Sequence, residues 1–303
     1  MSKSLLKRIK ETSLEDLIQQ IYFKKELLKK DEFRYYSKKE RTRERLINYE
    51  ITNHKITPYK KILDKKIKNS LKESFLLEHA DFAKALLYKE IPKHVKRELD
   101  KEIRKETKVM NKAFMEIYNR YTYYGEVKRE EALSILRKID PDAILRPGPV
   151  IIRGGEYIPP KDYYSVQNEL LRFEEEILKQ NIEPVKKAFH IHYHFVRIHP
   201  FIDGNGRSAR VWSNAYLYYK EFFPLVIPLD EREYYAQLLD DACVSRSKAD
   251  EMCLLGTTKS HCNLTSLTKQ EEDLFKYFAI KIIDEYDHCL ANKRNTKNGK
   301  KSR

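Results

Sequence analysis

Apolar positions recur at helical spacing along most of this 303-residue chain. Between residues 13 and 29, Leu17, Ile18, Ile21, Leu27 and Leu28 predict an amphipathic helix, and Ser13 with Asp16 supplies a near-capping-box start. The charged run DEFRYYSKKERTRERLINYE continues in helical texture. Pro58 is placed to open another helix through KKILDKKIKN, and SFLLEHADFAKALLYKE has apolar residues at helical spacing again. Residues 94 to 120 read as one long charged helix that ends in an aromatic patch before Gly125. Helical texture returns at 162 to 180 and at 183 to 198, the latter opened by Pro184 and broken by Pro200. ARVWSNAYLYYKEF predicts a further helix. Thr268 and Glu271 form a capping box for a last one carrying Leu274, Phe278, Ile282, Tyr286 and Leu290. Only LRPGPVIIRGGEYIPP (145–160) departs, with prolines and glycines around two short β-prone runs; it predicts a β-hairpin turning at Gly154-Gly155. The expected fold class is all-α, a helical bundle with one hairpin.

Between two of these helices lies HPFIDGNGRSAR (199–210), chemically dense in a chain with only 8 glycines. The first N–H groups of a helix lack internal partners and carry the positive end of its dipole. Glycines let that backbone approach an oxygen-rich anion closely. Gly204, Asn205 and Gly206 are therefore expected to hold phosphates. Arg207 and Arg210, three apart on one helix face, are suited to grip more distal ones. Asp203 offers a hard carboxylate for Mg²⁺ (or Mn²⁺), and a neutral His199 could take a proton from an incoming hydroxyl. These are the parts of a phosphoryl or nucleotidyl transfer. The plainer reading is a common Asp-Gly turn with solvated arginines.

HPFIDGNGRSAR resembles the Fic family motif, HxFx(D/E)GNGRxxR, at every specified position. IRGGEYIPP looks like that family's flap hairpin, and HYHFVRIHPF like its lead-in helix. The resemblance implies a Fic-type helical bundle with the flap over the active site. It divides the chain into an N-terminal helical region (1–75, a candidate regulatory segment), a Fic core (76–245, with flap 145–160) and a C-terminal helix with basic tail (246–303). It further implies AMPylation, the transfer of AMP from ATP to a Ser, Thr or Tyr hydroxyl of a target protein. On that resemblance His199 is the base and Asp203 holds the metal. Gly204, Asn205 and Gly206 line the anion hole, with the Asn205 side chain helping, and Arg207 and Arg210 bind the β- and γ-phosphates. Val150, Ile151 and Ile152 of the flap clamp the target backbone by strand addition, and Phe201 anchors the loop. Asn214 and Tyr218 are weak candidates to approach the adenine. Many family members are inhibited by the glutamate of an (S/T)xxxE(G/N) motif. LINYEITNHKIT resembles it loosely, with Glu50 at the acidic position, Leu46 in place of Ser/Thr and Ile51 in place of Gly/Asn.

Composition adjusts this picture little. Net charge is +14, which favours acidic partners, but the lysines are spread along the chain and no nucleic-acid motif accompanies them, so a solvated basic surface is expected and nucleic acid is not. No apolar run reaches the roughly 20 residues a membrane helix needs. A cytoplasmic protein is expected, with free thiols at Cys243, Cys253, Cys262 and Cys289, which form no CxxC pair. His190 and His194 stand at metal-pair spacing but read better as core residues. Tyr157, Tyr163 and Tyr164 are candidates for self-modification or for packing. Self-modification and homodimer formation stay open, as do transfer of another phosphate-containing group and removal of AMP. The rival class is a basic binding protein with a vestigial site.

Overall fold

Ser13 Oγ accepts from Asp16 N at 3.0 Å, the cap its spacing predicts, and separates two helices, α1 (Lys3–Glu11) and α2 (Leu14–Lys39). In this computed structural model the described residues are 3–39, 58–79, 92–140, 143–152, 155–258 and 262–298. Pro58 does open a helix, α3 (Pro58–Glu78). The long charged helix is α4 (Lys93–Tyr124), closed by Gly125 in the left-handed region (φ 75°), where the absence of a Cβ removes the penalty. A short α5 (Arg129–Leu136) precedes the proline-rich stretch, and α6 (Tyr163–Phe173) follows it, ending in a π turn over Glu174–Leu178. Then come α7 (Pro184–Ile198), α8 (Asn205–Tyr219), α9 (Arg232–Leu254) and α10 (Lys269–Asn298).

The centre of the bundle is α8, packed against α7, α4 and α3. Trp212 on α8 is fully buried, edge-on to Phe173 and Phe195 at 5.8 Å each, and satisfies its indole N–H on Tyr121 Oη at 2.9 Å. On the other side α10 lies against α2 and α9. The Thr268–Glu271 capping box is present: Thr268 N donates to Glu271 Oε2 (2.7 Å) and Glu271 N to Thr268 Oγ1 (3.3 Å). Glu271 also meets Arg246 of α9, with both side chains fully buried, so the cap doubles as a tie between two helices.

Residues 145–160 do not form a strand pair among the described residues; their one bridge is Leu145 with Phe201, antiparallel. Arg153 and Gly154, at the expected turn, lie outside the described residues. Pro147, Pro149, Pro159 and Pro160 remove ladder donors. Successive N–H groups of a strand point to opposite sides, yet those of Glu156 and Tyr157 both turn to the Asp240 carboxylate. The cysteines also differ from expectation. Cys253 and Cys262, nine apart, are joined by a disulfide as the chain doubles back after α9, whereas Cys243 is free and buried and Cys289 free and half-buried.

Candidate active site at the mouth of helix α8

His199 terminates α7 in the left-handed region (φ 52°, ψ 58°), its N–H donating to Phe195 O at 3.1 Å. A non-glycine residue there is held against about 1–2 kcal/mol of local strain. The brace is Arg146, only 1% exposed. Its Nε donates to His199 O (2.6 Å), one terminal nitrogen to Gly148 O (2.7 Å) and the other to Ile198 O (3.3 Å), while Arg146 N reaches Pro200 O (3.0 Å). Ile202 N continues this zipper to Ile144 O at 3.0 Å. The first residues of the 145–160 stretch, with Ile144, are thus stitched to the turn at His199. Sequence reasoning missed Arg146, a lone arginine amid prolines.

The His199 ring is well suited to base chemistry. Nδ1 lies 3.3 Å from Val196 O, so Nδ1 carries the proton and donates, leaving the lone pair on Nε2. Burial lowers its pKa to about 4, so the ring is neutral near pH 7.

The loop after it is shaped from within. Gly204 is left-handed (φ 78°), and a Cβ there would press on Asp140 Cβ at 3.1 Å. The Asn205 side chain is bound to the backbone of one residue: Oδ1 accepts from Phe201 N and Nδ2 donates to Phe201 O, both at 2.9 Å. It therefore fixes the turn. Phe201 is fully buried against Phe195. The helix begins at Asn205, two residues before Arg207, so the first-turn N–H groups of Asn205, Gly206 and Arg207 face outward along the axis. The Asp203 side chain is 69% exposed beside them, one oxygen accepting from Gly204 N at 2.5 Å and the other 3.9 Å from Arg207. A single exposed carboxylate fits Mg²⁺, which is commonly held by one or two carboxylates plus substrate phosphates. No group of three or more acidic, histidine or cysteine ligands is found among the described residues.

Both arginines already have carboxylate partners. Arg207 pairs with Asp140 and lies 3.8 Å from Glu106 of α4. Arg210, buried on α8, pairs with Glu78 at the end of α3, and its Nε donates to Ser74 Oγ at 2.7 Å. Desolvation pushes the Glu78 carboxyl up, but the Arg210 guanidinium outweighs it by charge and hydrogen bond, helped by Arg207 and Arg232, so the pKa is lowered overall. Glu78 also covers the loop, since a Cβ on Gly206 would overlap its Oε1. Ser74-Phe75-Leu76-Leu77-Glu78-His79 has the SerxxxGlu spacing of the inhibitory motif, with His79 in the last place. That spacing was the available signal, hidden inside an apolar helical run. Glu50, its Leu46 and its Ile51 lie outside the described residues.

Other expected residues are placed elsewhere. Asn214 closes both its amide groups on Leu225 N and O, and Tyr218 Oη donates to Asp64, so neither is free for adenine. Tyr157 is buried with Oη on Arg197 O, whereas Tyr164 is 79% exposed. Ile151 is 91% exposed, with Val150 and Ile152 partly covered. His190 and His194 stack inside the core, Nδ1 to Nε2 at 3.3 Å, with His192 bonded to Tyr235 Oη.

Burial lowers the pKa of His190 and His192 to about 3 and pushes that of His194 well below the usual histidine value. The unfolded chain binds these protons near pH 6.5 and the native one does not, so stability should fall as pH drops from about 6.5. Each buried histidine contributes about 1.4 kcal/mol per pH unit in that window. Urea unfolding at pH 7, 6 and 5 checks this; a midpoint independent of pH would contradict it.

Residues 106–217 match the model of the Fic/DOC family. Among curated relatives, protein adenylyltransferase fic-1 of Caenorhabditis elegans is 45% identical over 58 residues, 19% of this chain and 11% of the relative. Protein adenylyltransferase Fic of Drosophila persimilis is 34% identical over 87 residues, 28% of this chain and 17% of the relative. The chain spans well under two thirds of the length of these curated relatives. The solved structure of a Fic-domain-containing signaling protein from Bacteroides thetaiotaomicron superposes with a TM-score of 0.51 at 17% identity, covering 89% of this chain and 94% of that one. A Fic family protein from Desulfovibrio desulfuricans gives 0.51 at 16% identity, covering 92% and 74%. The fold is mostly helical, as these neighbours share. Among the described residues no helix is long and apolar enough to cross a membrane.

Proposed function

We propose that the chain is a protein adenylyltransferase that rests with its phosphate clamp closed. The observation that carries this reading is the neutral His199 imidazole, Nε2 unprotonated, held six residues before the first residue of an anion-ready helix with two arginines. ATP would enter with its phosphates on the N–H groups of Gly204, Asn205 and Gly206. Asp203 would hold Mg²⁺, which neutralises phosphate charge when bound. A target Ser, Thr or Tyr hydroxyl gives its proton to His199 Nε2. Its oxygen forms a bond to the α-phosphorus as the bond to the β-phosphate bridging oxygen breaks, and pyrophosphate leaves. Arg207 and Arg210 would stabilise the charge developing on the leaving group.

The flap at Val150, Ile151 and Ile152 would hold the target in extended form, with Ile151 the side chain most open to it. Glu78 is the inhibitory residue in this reading: it takes the arginine that the outermost phosphate needs. Residues 1–78, through the end of α3, are then the regulatory region, and 79–245 the catalytic one. The test is incubation with α-labelled ATP and Mg²⁺, followed by a denaturing gel and repeated with EDTA. Label that stays on protein, needs the divalent ion and needs His199 supports the reading. Salt-sensitive nucleic-acid binding without transfer supports the binding-protein rival.

A further inference from the structure

The flap's second limb is tied to the bundle by one residue that the catalytic motif does not include. Asp240, mid-way along α9, accepts from Glu156 N through Oδ2 and from Tyr157 N through Oδ1, both at 2.9 Å. Two consecutive N–H groups turned to one carboxylate make a backbone nest for an anion, here supplied by the protein itself. Gly155 sits against the same carboxylate so closely that a Cβ would overlap Oδ1. Tyr157 completes the anchor: its ring is buried and its Oη donates to Arg197 O at 2.9 Å, two residues before His199.

Resting on the proposed transfer reaction, we propose that Asp240 is a positioning residue that pins the flap's second limb and thereby sets where the target hydroxyl meets His199. The carboxylate occupies the donor groups of residues 156 and 157, so that limb is closed to strand addition. The limb at 150–152 is left as the edge for an extended target segment. Arg146 holds the approach to that limb on the catalytic turn, and Asp240 holds the far one on α9. A fixed loop presents a bound peptide in one register, whereas a loose one loses the alignment that in-line attack needs.

The experiment uses the full chain carrying Glu78→Gly as parent, with Asp240→Ala and Gly155→Ala added singly and together. Amide hydrogen exchange at Glu156 and Tyr157 should quicken at least tenfold in Asp240→Ala. Self-labelling by α-labelled ATP should fall at least fivefold with the KM for ATP unchanged. Gly155→Ala should behave alike, and the double variant should lose no more than Asp240→Ala alone, because both act through one contact. Unchanged exchange, or faster exchange with undiminished labelling, overturns the assignment. A parent that never labels defeats the transfer reading instead, and the exchange measurement then decides the anchor by itself.

Discussion

His199→Ala, made in a Glu78→Gly background, should cut transfer of label from ATP by at least about 10²- to 10⁴-fold, the range expected for loss of a general base. Nucleotide affinity should stay within a factor of two, because in the proposed reaction the phosphates would rest on the N–H groups of the next helix and on Arg207 and Arg210, none of which His199 supports through its ring. Among the described residues the ring's one polar contact is Nδ1 to Val196 O, inside its own helix turn. The separation of chemistry from binding is the informative part. A loss of both would mean that the turn had collapsed, and the residue's left-handed backbone makes this a real concern, since alanine is unfavourable there. His199→Asn addresses it: asparagine tolerates that conformation but cannot serve as the base. Both variants should bind ATP and fail to transfer. Undiminished labelling in either would remove His199 from the mechanism.

How much of this is legible in the sequence follows from which interactions are local. The helices bounded by Ser13, Pro58, Gly125, Pro184 and Thr268 were legible because caps and prolines act within a turn of where they stand. The anion-ready mouth was legible for the same reason: its glycines, its arginines and its histidine lie within twelve consecutive residues. The partners of those residues were not. Arg210 meets Ser74 and Glu78 across more than 130 positions, Arg207 meets Asp140 across 67, and the flap meets Asp240 across more than 80. Helical periodicity gives no register between distant segments, so nothing local marks Glu78 as the partner of Arg210, and Glu50 lies outside the described residues. The flap shows the same limit. Its two β-prone runs and central glycines are a local signal whose expected turn, at Arg153 and Gly154, lies outside the described residues, whereas the tie of Glu156 and Tyr157 to the Asp240 carboxylate is a distant contact that no local pattern announces. The disulfide is likewise a tertiary fact that no cysteine spacing announced.

Glu78→Gly should raise self-labelling by about 10²- to 10³-fold and tighten ATP binding. Two unit charges 4 Å apart interact by about 4 kcal/mol at an effective dielectric of 20, which sets the scale for a carboxylate standing where a phosphate must sit. Removing it also releases Arg210, whose guanidinium is divided between Glu78 and Ser74. The fold should tolerate the change: Glu78 is the last residue of α3, where glycine is common, and its side chain is 37% exposed. Glu78→Gln separates charge from bulk. It keeps the shape over Gly206 but loses the ion pair, so labelling should rise only part of the way. Acidification is a poor substitute for either variant. Arg210 holds the Glu78 carboxyl below the usual carboxylate range, so its contribution persists as pH falls and is lost only below that range. By then the buried histidines have already weakened the bundle. The closed clamp should therefore respond to whatever moves α3 rather than to pH, and equal labelling by the parent chain and Glu78→Gly at saturating ATP would show that it never limited the reaction.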